Sequence, residues 1–564
     1  MCNYQGVVNA VVNAQSASLS SNGGFKLDWS YAGHRAGEKG SDFYRPSKRF
    51  DVKSFGAKIN GVTDDSNALQ NAIDACGNAG GGTVEIPSGT LLLEGQVKIR
   101  YSNVLVRGAG KGKTIIKIPH SLSYYDLMAG TDDDRYSRSR AFLEIIGNRV
   151  RSNKKGRNYV GRVVSNARAG DRSLYLESTS GISSGDWVRL YISDPKTGPV
   201  SQSLVGYMYS NPEKNAQCGE SCLKSLRGSK DLVRFMSRVT YVDGNKVALE
   251  RQLPVDVRTN WSPVVYTLSK DTVQKSGIQD LTIQFGWKRT QKHLDEDGNN
   301  AIVLEEAAFC WVKNVAVIDA DLNVVVRYSN FVTVTGVDAS VTKDRSHSTS
   351  RGKQGHIAIG IHDSCDVDVS DFTIRDTWWH DLSVRASMLS VFREGYGEDL
   401  NMDLHRSAPY MMLYDDINIG KGTRAFTTGG KSATGQPTAG FSTFWNIRQR
   451  GGEAITVPGC MYGPNLNFVG NFKSKKGCRG RLVNSSKDIV PRRLYASQVS
   501  NGGGSSTPRP PSSDEEPYNN PPASYDGDEE EPYNPPSYYG DGEEPYNPPL
   551  YYGDGEEPYN PPEM

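Results

Sequence analysis

The segment RFDVKSFGAKINGVTDDSNALQNAID (residues 49–74), followed by GGGTVEIPSGTLLL (residues 80–93), constrains the fold more than any other part of the chain. It reads strand, glycine turn, acidic cap, short helix, glycine turn, strand. Ala68, Leu69, Ala72, Ile73 and Cys76 recur at helical spacing, which predicts a helix over 66–76 with one apolar face. A carboxylate at Asp64 or Asp65 can accept from the orphan N–H groups of the first turn and complements the helix dipole. Gly80, Gly81 and Gly82 then end the helix, and 83–86 is a β-rich run before the Pro87-Ser-Gly89 turn. Strand runs dominate the rest of the chain and helical patterns are scarce, which counts against a βαβ unit of an ordinary α/β domain.

From Gly277 onward, alternating apolar runs return irregularly, about every 20–35 residues, the range of a solenoid repeat. They occur at 278–283, 311–317, 330–337 and 365–374, each with an Asn or Asp near its turn. Such coils must stack to bury a continuous core. Asn314 and Asn330 are candidates for an internal polar ladder or for single turn residues. The stretch 119–275 reads as a β-rich elaboration. Strand-like runs at 167–176 and 185–191 and an Asp-Gly hairpin signal at 242–249 surround a long loop, 196–236. Residues 1–45 read as a poorly ordered leader, 46–118 as the capped start, 276–495 as the main coils and 496–564 as a tail.

The formal net charge of +1 hides a split: residues 501–564 hold fifteen Asp/Glu and one basic residue, Arg509, so the body carries +15. A basic body favours acidic ligands, uronate or sulfated glycans among them. Nucleic acid is the rival acidic partner, but no nucleic-acid-binding motif is present. No run is long and apolar enough to span a membrane as a helix. The tail repeats Glu-Glu-Pro-Tyr-Asn around Tyr518, Tyr533, Tyr546 and Tyr559. Its proline and charge density leave no packable core, so it reads as disordered. It suits a solvated spacer, loose calcium binding, contact with matrix components, or folding over the basic body. Cys218/Cys222 and Cys460/Cys478 read as disulfides if the protein is secreted. Asn260 and Asn484 fit the N-glycosylation pattern. The first twenty residues lack a basic n-region and a full apolar core. They read either as a truncated signal peptide ending near Ala14–Ala17 or as a disordered start.

The opening block resembles the start of the pectate-lyase-like proteins, and a second pattern strengthens this. Asp403-x-His405-Arg406-x-x-Pro409-Tyr410 and Gly422-Thr-Arg424 are similar to a branch of the same superfamily, the resemblance spanning about residues 48–450. It implies a right-handed parallel β-helix, an all-β solenoid with an N-terminal capping helix that covers its open end. It also implies a preference for long acidic polysaccharides.

The densest reactive stretch is 376–424. On a strand, side chains two apart share a face, so Asp403 and His405 point one way while Leu404 and Arg406 point the other, unless the turn before Pro409 breaks the strand. Trp378 and Trp379 offer stacking surfaces for sugar rings beside His380 and Asp381. Arg385, Arg393, Arg406 and Arg424 offer bidentate partners for carboxylates. Lyase chemistry needs a neutralised uronate carboxylate, a base for the C5 proton and a donor for the leaving oxygen. On this reading Arg406 and Arg424 neutralise, with Ca²⁺ held by Asp403, Asp415 or Asp416. His405 is the base, and Tyr410 or His380 the acid. The resemblance also implies arginine bases in related lyases, which would reassign Arg406. His347, His356 and His362 are weaker candidates.

Two other readings stay open. A glycoside hydrolase would draw its carboxyl pair from Asp381, Asp403, Asp415 and Asp416, although the motif set of the polygalacturonase branch is missing. A non-catalytic matrix or cell-wall protein would hold glycan on its coils and use its acidic tail as a contact.

Overall fold

The computed structural model describes residues 27–38, 43–127, 136, 140–148, 158–210, 218–474, 478, 482–484 and 489–500. The helix forms at Ser66–Asn78 and buries Leu69, Ala72, Ile73 and Cys76 against the first strands. Asp64, not Asp65, serves its first turn: Asp64 Oδ1 accepts from the Ser66 N–H at 3.0 Å. The Asp65 carboxylate turns back instead and accepts the Lys58 and Ile59 N–H groups at 2.7 and 3.0 Å, closing the preceding loop.

Behind this cap the strands stack in parallel. Gly277–Phe285, Trp311–Ile318, Asn330–Ser340, Cys365–Ser370, Val391–Arg393, Leu413–Asp415, Thr443–Trp445 and Asn467–Val469 pair in that order within one long sheet. Their register brings one position of each coil into line: Asp280, Asn314, Gly336, Asp371, Glu394, Asp416, Asn446 and Gly470 all follow ladder-paired residues. All have positive φ, from 50° at Asp371 to 140° at Gly470. A residue of positive φ turns each of these eight coils at the same corner, which explains the Asn, Asp and Gly found there. Asn314 Nδ2 donates to Asp280 Oδ1 at 2.7 Å along this corner. Asn330 lies at another position and donates to the Arg234 carbonyl at 2.9 Å, so the two do not form one ladder. Inside, Phe392, Tyr414, Phe444 and Phe468 stack with centroids 5.3, 5.1 and 5.0 Å apart.

A second parallel sheet of seven strands carries the site. Its order is Val97–Ile99, Leu143–Ile146, Asn300–Glu305, Leu322–Arg327, Ile357–His362, His380–Arg385 and Met402–Leu404. Val324, Val326, Ile359, Ile361, Leu382, Val384, Met402 and Leu404 point into the core. Alternation then puts Arg327, His362, Ser383, Arg385 and Asp403 on the outer face.

Four features of the chain differ from its sequence reading. Leu143–Ile146 pairs with Val97–Ile99 and Asn300–Glu305, so part of 119–275 is coil and not insertion. The insertion proper is an antiparallel six-stranded sheet between Tyr159 and Thr267, containing the Val233–Asp243/Lys246–Leu249 hairpin. The described part of 196–236 is no surface loop: Leu204, Val205, Met208 and Leu223 are buried, and Tyr209 Oη accepts from the Ala408 N–H at 2.9 Å. The described parts of the leader and of the tail pack into the fold. Trp29 Nε1 donates to the Met411 carbonyl at 2.7 Å, and the helix Leu494–Ser500 holds the leader through Tyr495 Oη to Ala32 O, 2.7 Å, and Gln498 Nε2 to Leu27 O, 3.0 Å. Large apolar groups at Leu27 and Trp29 drive that packing. The acidic repeat tail from 501 on, and residues 1–26, lie outside the described residues.

Cys218–Cys222 and Cys460–Cys478 are disulfide-bonded. Cys76, Cys310 and Cys365 are buried thiols. Among the described residues no helix is long and apolar enough to cross a membrane.

One buried pair joins the insertion to the coils. Arg251 Nη1 and Nη2 each donate to Asp366 at 2.7 Å, and the guanidinium lies 4.4 Å over the Tyr31 ring and 4.7 Å over Phe235. Arg251→Met leaves a buried carboxylate with no counter-charge, a loss of about 3–5 kcal/mol. Chemical denaturation checks it. A loss under about 1 kcal/mol would mean that water reaches Asp366.

Candidate functional site

The centre is Asp403, on the outer face of the last strand of the seven-stranded sheet. Its carboxylate is fully buried. Oδ2 lies 2.7 Å from His380 Nδ1 and 2.8 Å from His405 Nδ1, and Oδ1 accepts the Gly429 N–H at 3.1 Å. Burial alone would raise this carboxyl's pKa. The charges of His405 and His380 and their hydrogen bonds outweigh it and hold the group well below the usual carboxylate range. With Nδ1–H directed at Asp403, each imidazole presents Nε2 as its acceptor. Gly429 closes over the pair: a Cβ there would come within 2.5 Å of His405 Cε1 and 2.9 Å of His380 Cε1.

The strands place these groups by register. His380 pairs with Ile357 one coil earlier, and Asp403 with Ser383. The His405 N–H donates to the Val384 carbonyl at 2.7 Å, which sets His405 beside Arg385. Beyond them runs a polar row, Arg385, His362, Arg327 and Glu305, paired strand to strand. Burial and then Arg385 push His362 well below its ordinary pKa, so it is neutral. Arg327 lies 2.8 Å from Glu305, and Arg385 lies 3.3 Å from Asp363.

Two groups that the sequence did not reveal extend the site. His293, from the irregular loop before Asn300, packs against His356, Trp379 and His380 with centroids 4.8, 4.6 and 5.5 Å away. Glu296, buried in the same loop, lies 3.4 Å from His356 Nδ1. Trp379 is therefore half-buried beside histidines, while Trp378 is wholly core, with Nε1 3.2 Å from the Ala320 carbonyl.

The remaining candidates have other work. Asp381 is buried and accepts the Trp378 and Asn401 N–H groups at 2.8 and 2.9 Å and Arg424 Nη2. Arg424 also donates to the Asp399 and Trp378 carbonyls. Neither side chain is available to a glycan: they are a bracket between coils. Arg393 is clamped by Asp368 at 2.7 and 3.0 Å, by Glu394 and by the face of Tyr495. Tyr410 is buried in the apolar cluster beneath the insertion, and burial raises its phenol far above 10, so it is no proton donor to the site. Arg406 takes φ 58°, which breaks the strand, and its guanidinium reaches the Gly435 carbonyl. His347 sits in a loop with Nδ1 2.9 Å from Thr349 Oγ1.

The proposed calcium set is not assembled. Asp415 and Asp416 belong to the long sheet, Asp403 to the other. Asp415 accepts the Leu494 and Tyr495 N–H groups at 3.1 and 2.8 Å, while Asp416 meets Arg448 at 2.7 Å, Arg492 at 3.3 Å and Arg493 at 3.2 Å. They anchor the C-terminal helix. The donors around Asp403 are imidazole nitrogens, which do not suit a cation that demands oxygen.

Burial pushes the Asp415 carboxyl up to about 7, against the two N–H donors that lower it. An unfolded Asp titrates near 3.9, so the native state binds the extra proton between these values. Stability from this group is complete below about pH 4 and is lost as pH rises through about 7. Asp415→Asn should flatten that part of the melting-temperature profile between about pH 5 and pH 8. Parallel profiles would remove Asp415 as the cause.

With this geometry established, likeness to known proteins is confined mainly to the opening block. The family model described as rhamnogalacturonase A/epimerase, pectate lyase-like, matches residues 49–166. Alginate lyase 7 of Azotobacter vinelandii is 49% identical over 75 residues, 12% of this chain and 9% of that protein. Mannuronan C5-epimerase AlgE3 of the same organism is 46% identical over 76 residues, 12% of this chain and 4% of that protein. The chain thus spans less than a tenth of the length of these curated relatives. Among solved structures, the tailspike gp61 of Pseudomonas phage phi297 has a TM-score of 0.48 at 14% identity, covering 76% of this chain and 67% of its own. The polygalacturonase of Erwinia carotovora ssp. carotovora has 0.39 at 11%, covering 78% and 84%. Given the capped opening and the parallel coils behind it, the chain has a parallel β-helix fold, and its opening block is similar to the pectate-lyase-like family model.

Proposed function

We propose that the protein is a secreted lyase that cleaves a uronate-containing polysaccharide by β-elimination. The observation that carries this is the buried, ionised Asp403 bonded to two imidazoles, with the His405 side chain 14% exposed. His405 Nε2 removes the C5 proton, the electron pair forms the C4–C5 double bond, and the C4–oxygen bond breaks. Asp403 stabilises the imidazolium, which returns the proton to the leaving oxygen. Arg385, beside His405, faces the substrate carboxylates, and the row through His362 and Arg327 continues the track for an acidic chain. The relatives named as an alginate lyase and a mannuronan C5-epimerase support an acidic polysaccharide, and the two disulfides support an extracellular setting.

The hydrolase reading loses its carboxyl pairs, since Asp381 is bracketed by Arg424 and Asp415 and Asp416 lie on the other sheet. The matrix reading rests on the tail.

The test is ultraviolet absorbance of unsaturated uronate ends on a panel of polyuronates. His405→Ala and Asp403→Asn should each lower kcat/KM about 10²–10⁴-fold, with both variants still folded by circular dichroism. Full activity in His405→Ala would sink the assignment of the base. New reducing ends without absorbance would mean hydrolysis instead.

A further inference from the structure

We propose that His293, His356 and His380 form a binding site for one divalent transition metal ion of the zinc class. The three residues come from a loop and from the starts of two neighbouring strands, yet one nitrogen of each lies within 4.8 Å of the others. His356 and His380 are buried and His293 is half-buried. Imidazole nitrogens suit zinc, copper and nickel ions, whereas calcium and magnesium take oxygen.

The surroundings have the form that metal-binding histidines require. A ligating imidazole usually gives its other nitrogen to a carboxylate, which fixes the tautomer and raises its basicity. Here Asp403 Oδ2 stands 2.7 Å from His380 Nδ1, and Glu296 Oε2 lies 3.4 Å from His356 Nδ1, within reach of its N–H once an ion orients the ring. Both carboxylates are buried. With Nδ1 turned to Asp403, the His380 ring offers Nε2.

The backbone leaves the geometry within reach. Zinc–nitrogen bonds of about 2.0–2.1 Å in a tetrahedron put ligand nitrogens about 3.3 Å apart. The nitrogens must close by at most about 1.5 Å from the observed spacing. His356 and His380 are pinned, the His356 N–H to the Asp321 carbonyl at 2.8 Å and the His380 N–H to the His356 carbonyl at 2.9 Å. His293, on its loop, makes the adjustment. Three protein ligands leave one position for water or a substrate oxygen. His380 would then be shared: Nε2 to the ion, Nδ1 to Asp403, which also holds His405.

The site stands apart from the lyase proposal, because ion binding is measured without any glycan. The full chain, stripped with a chelator and dialysed, is titrated with Zn²⁺ by calorimetry and with Co²⁺ by visible spectroscopy. One equivalent of Zn²⁺ should bind, undisplaced by excess Ca²⁺, and Co²⁺ should give the strong visible bands of a four- or five-coordinate nitrogen site. Glu296→Gln should weaken Zn²⁺ about 10–100-fold, and His293→Ala or His356→Ala should weaken it further. His405→Ala should leave it intact. Absence of Zn²⁺ uptake and of Co²⁺ bands in the unmutated chain would overturn the proposal, whatever the variants do. So would undiminished binding in the folded His293→Ala, His356→Ala double variant.

Discussion

Eight successive coils of this protein, from Asp280 to Gly470, turn one corner with a residue of positive φ, and the stacking of that corner fixes what is built on them. A left-handed residue costs about 1–2 kcal/mol unless it is glycine or a short polar residue. Asp280, Asn314, Gly336, Asp371, Asp416 and Asn446 meet that condition, and only Glu394 departs from it. Because the corner recurs at one register position, a slip of a single residue would put a β-branched residue there and turn core side chains outward. The long sheet is locked by this, and the shorter sheet inherits its register through the continuous coil.

That inheritance assembles the site. His356, His380 and His405 are 24 and 25 residues apart in the chain, about one coil each. Their neighbours Ile359, Leu382 and Leu404 face inward with the core, while the polar groups of the same strands face out. The inner face is selected for volume and the outer face is left to chemistry. The 426–437 segment then closes against one end of the outer face: Gly429 lies on the imidazoles and Gly435 receives Arg406.

Legibility in the sequence follows the same division. The cap was readable because its signals are local: helical spacing, acidic start, glycine stop. The pairing of Asp403 with His405 was readable because alternation on a strand is local as well. The arginines misled, since a guanidinium looks the same whether it meets a substrate or a carboxylate on the next coil. Arg424 with Asp381, and Arg393 with Asp368, are separated by 43 and 25 residues, so only the register reveals them as partners. Asp415 and Asp416 read as metal ligands for the same reason, their partners being supplied by a helix near residue 494. His293 and Glu296 lie in an irregular loop that carries no periodic signal, and Leu27–Trp29 is too short a segment to announce that it packs.

The cost of ionising Asp403 explains why the centre has the parts it has. A lone carboxylate in so buried a place would take up a proton. Two imidazole N–H groups and one amide N–H replace its hydration, and none of these donors must move during a reaction. The arrangement has a consequence for each imidazole. Since both share Oδ2, a proton gained at His405 strengthens its hold on Asp403 and weakens the claim of His380 on the same oxygen. A chain using His405 as a base therefore alters the neighbouring imidazole in every cycle. An arrangement that also fixed the far side of His380 would resist that change, which is the physical reason for a cluster of histidines to stand behind a single base.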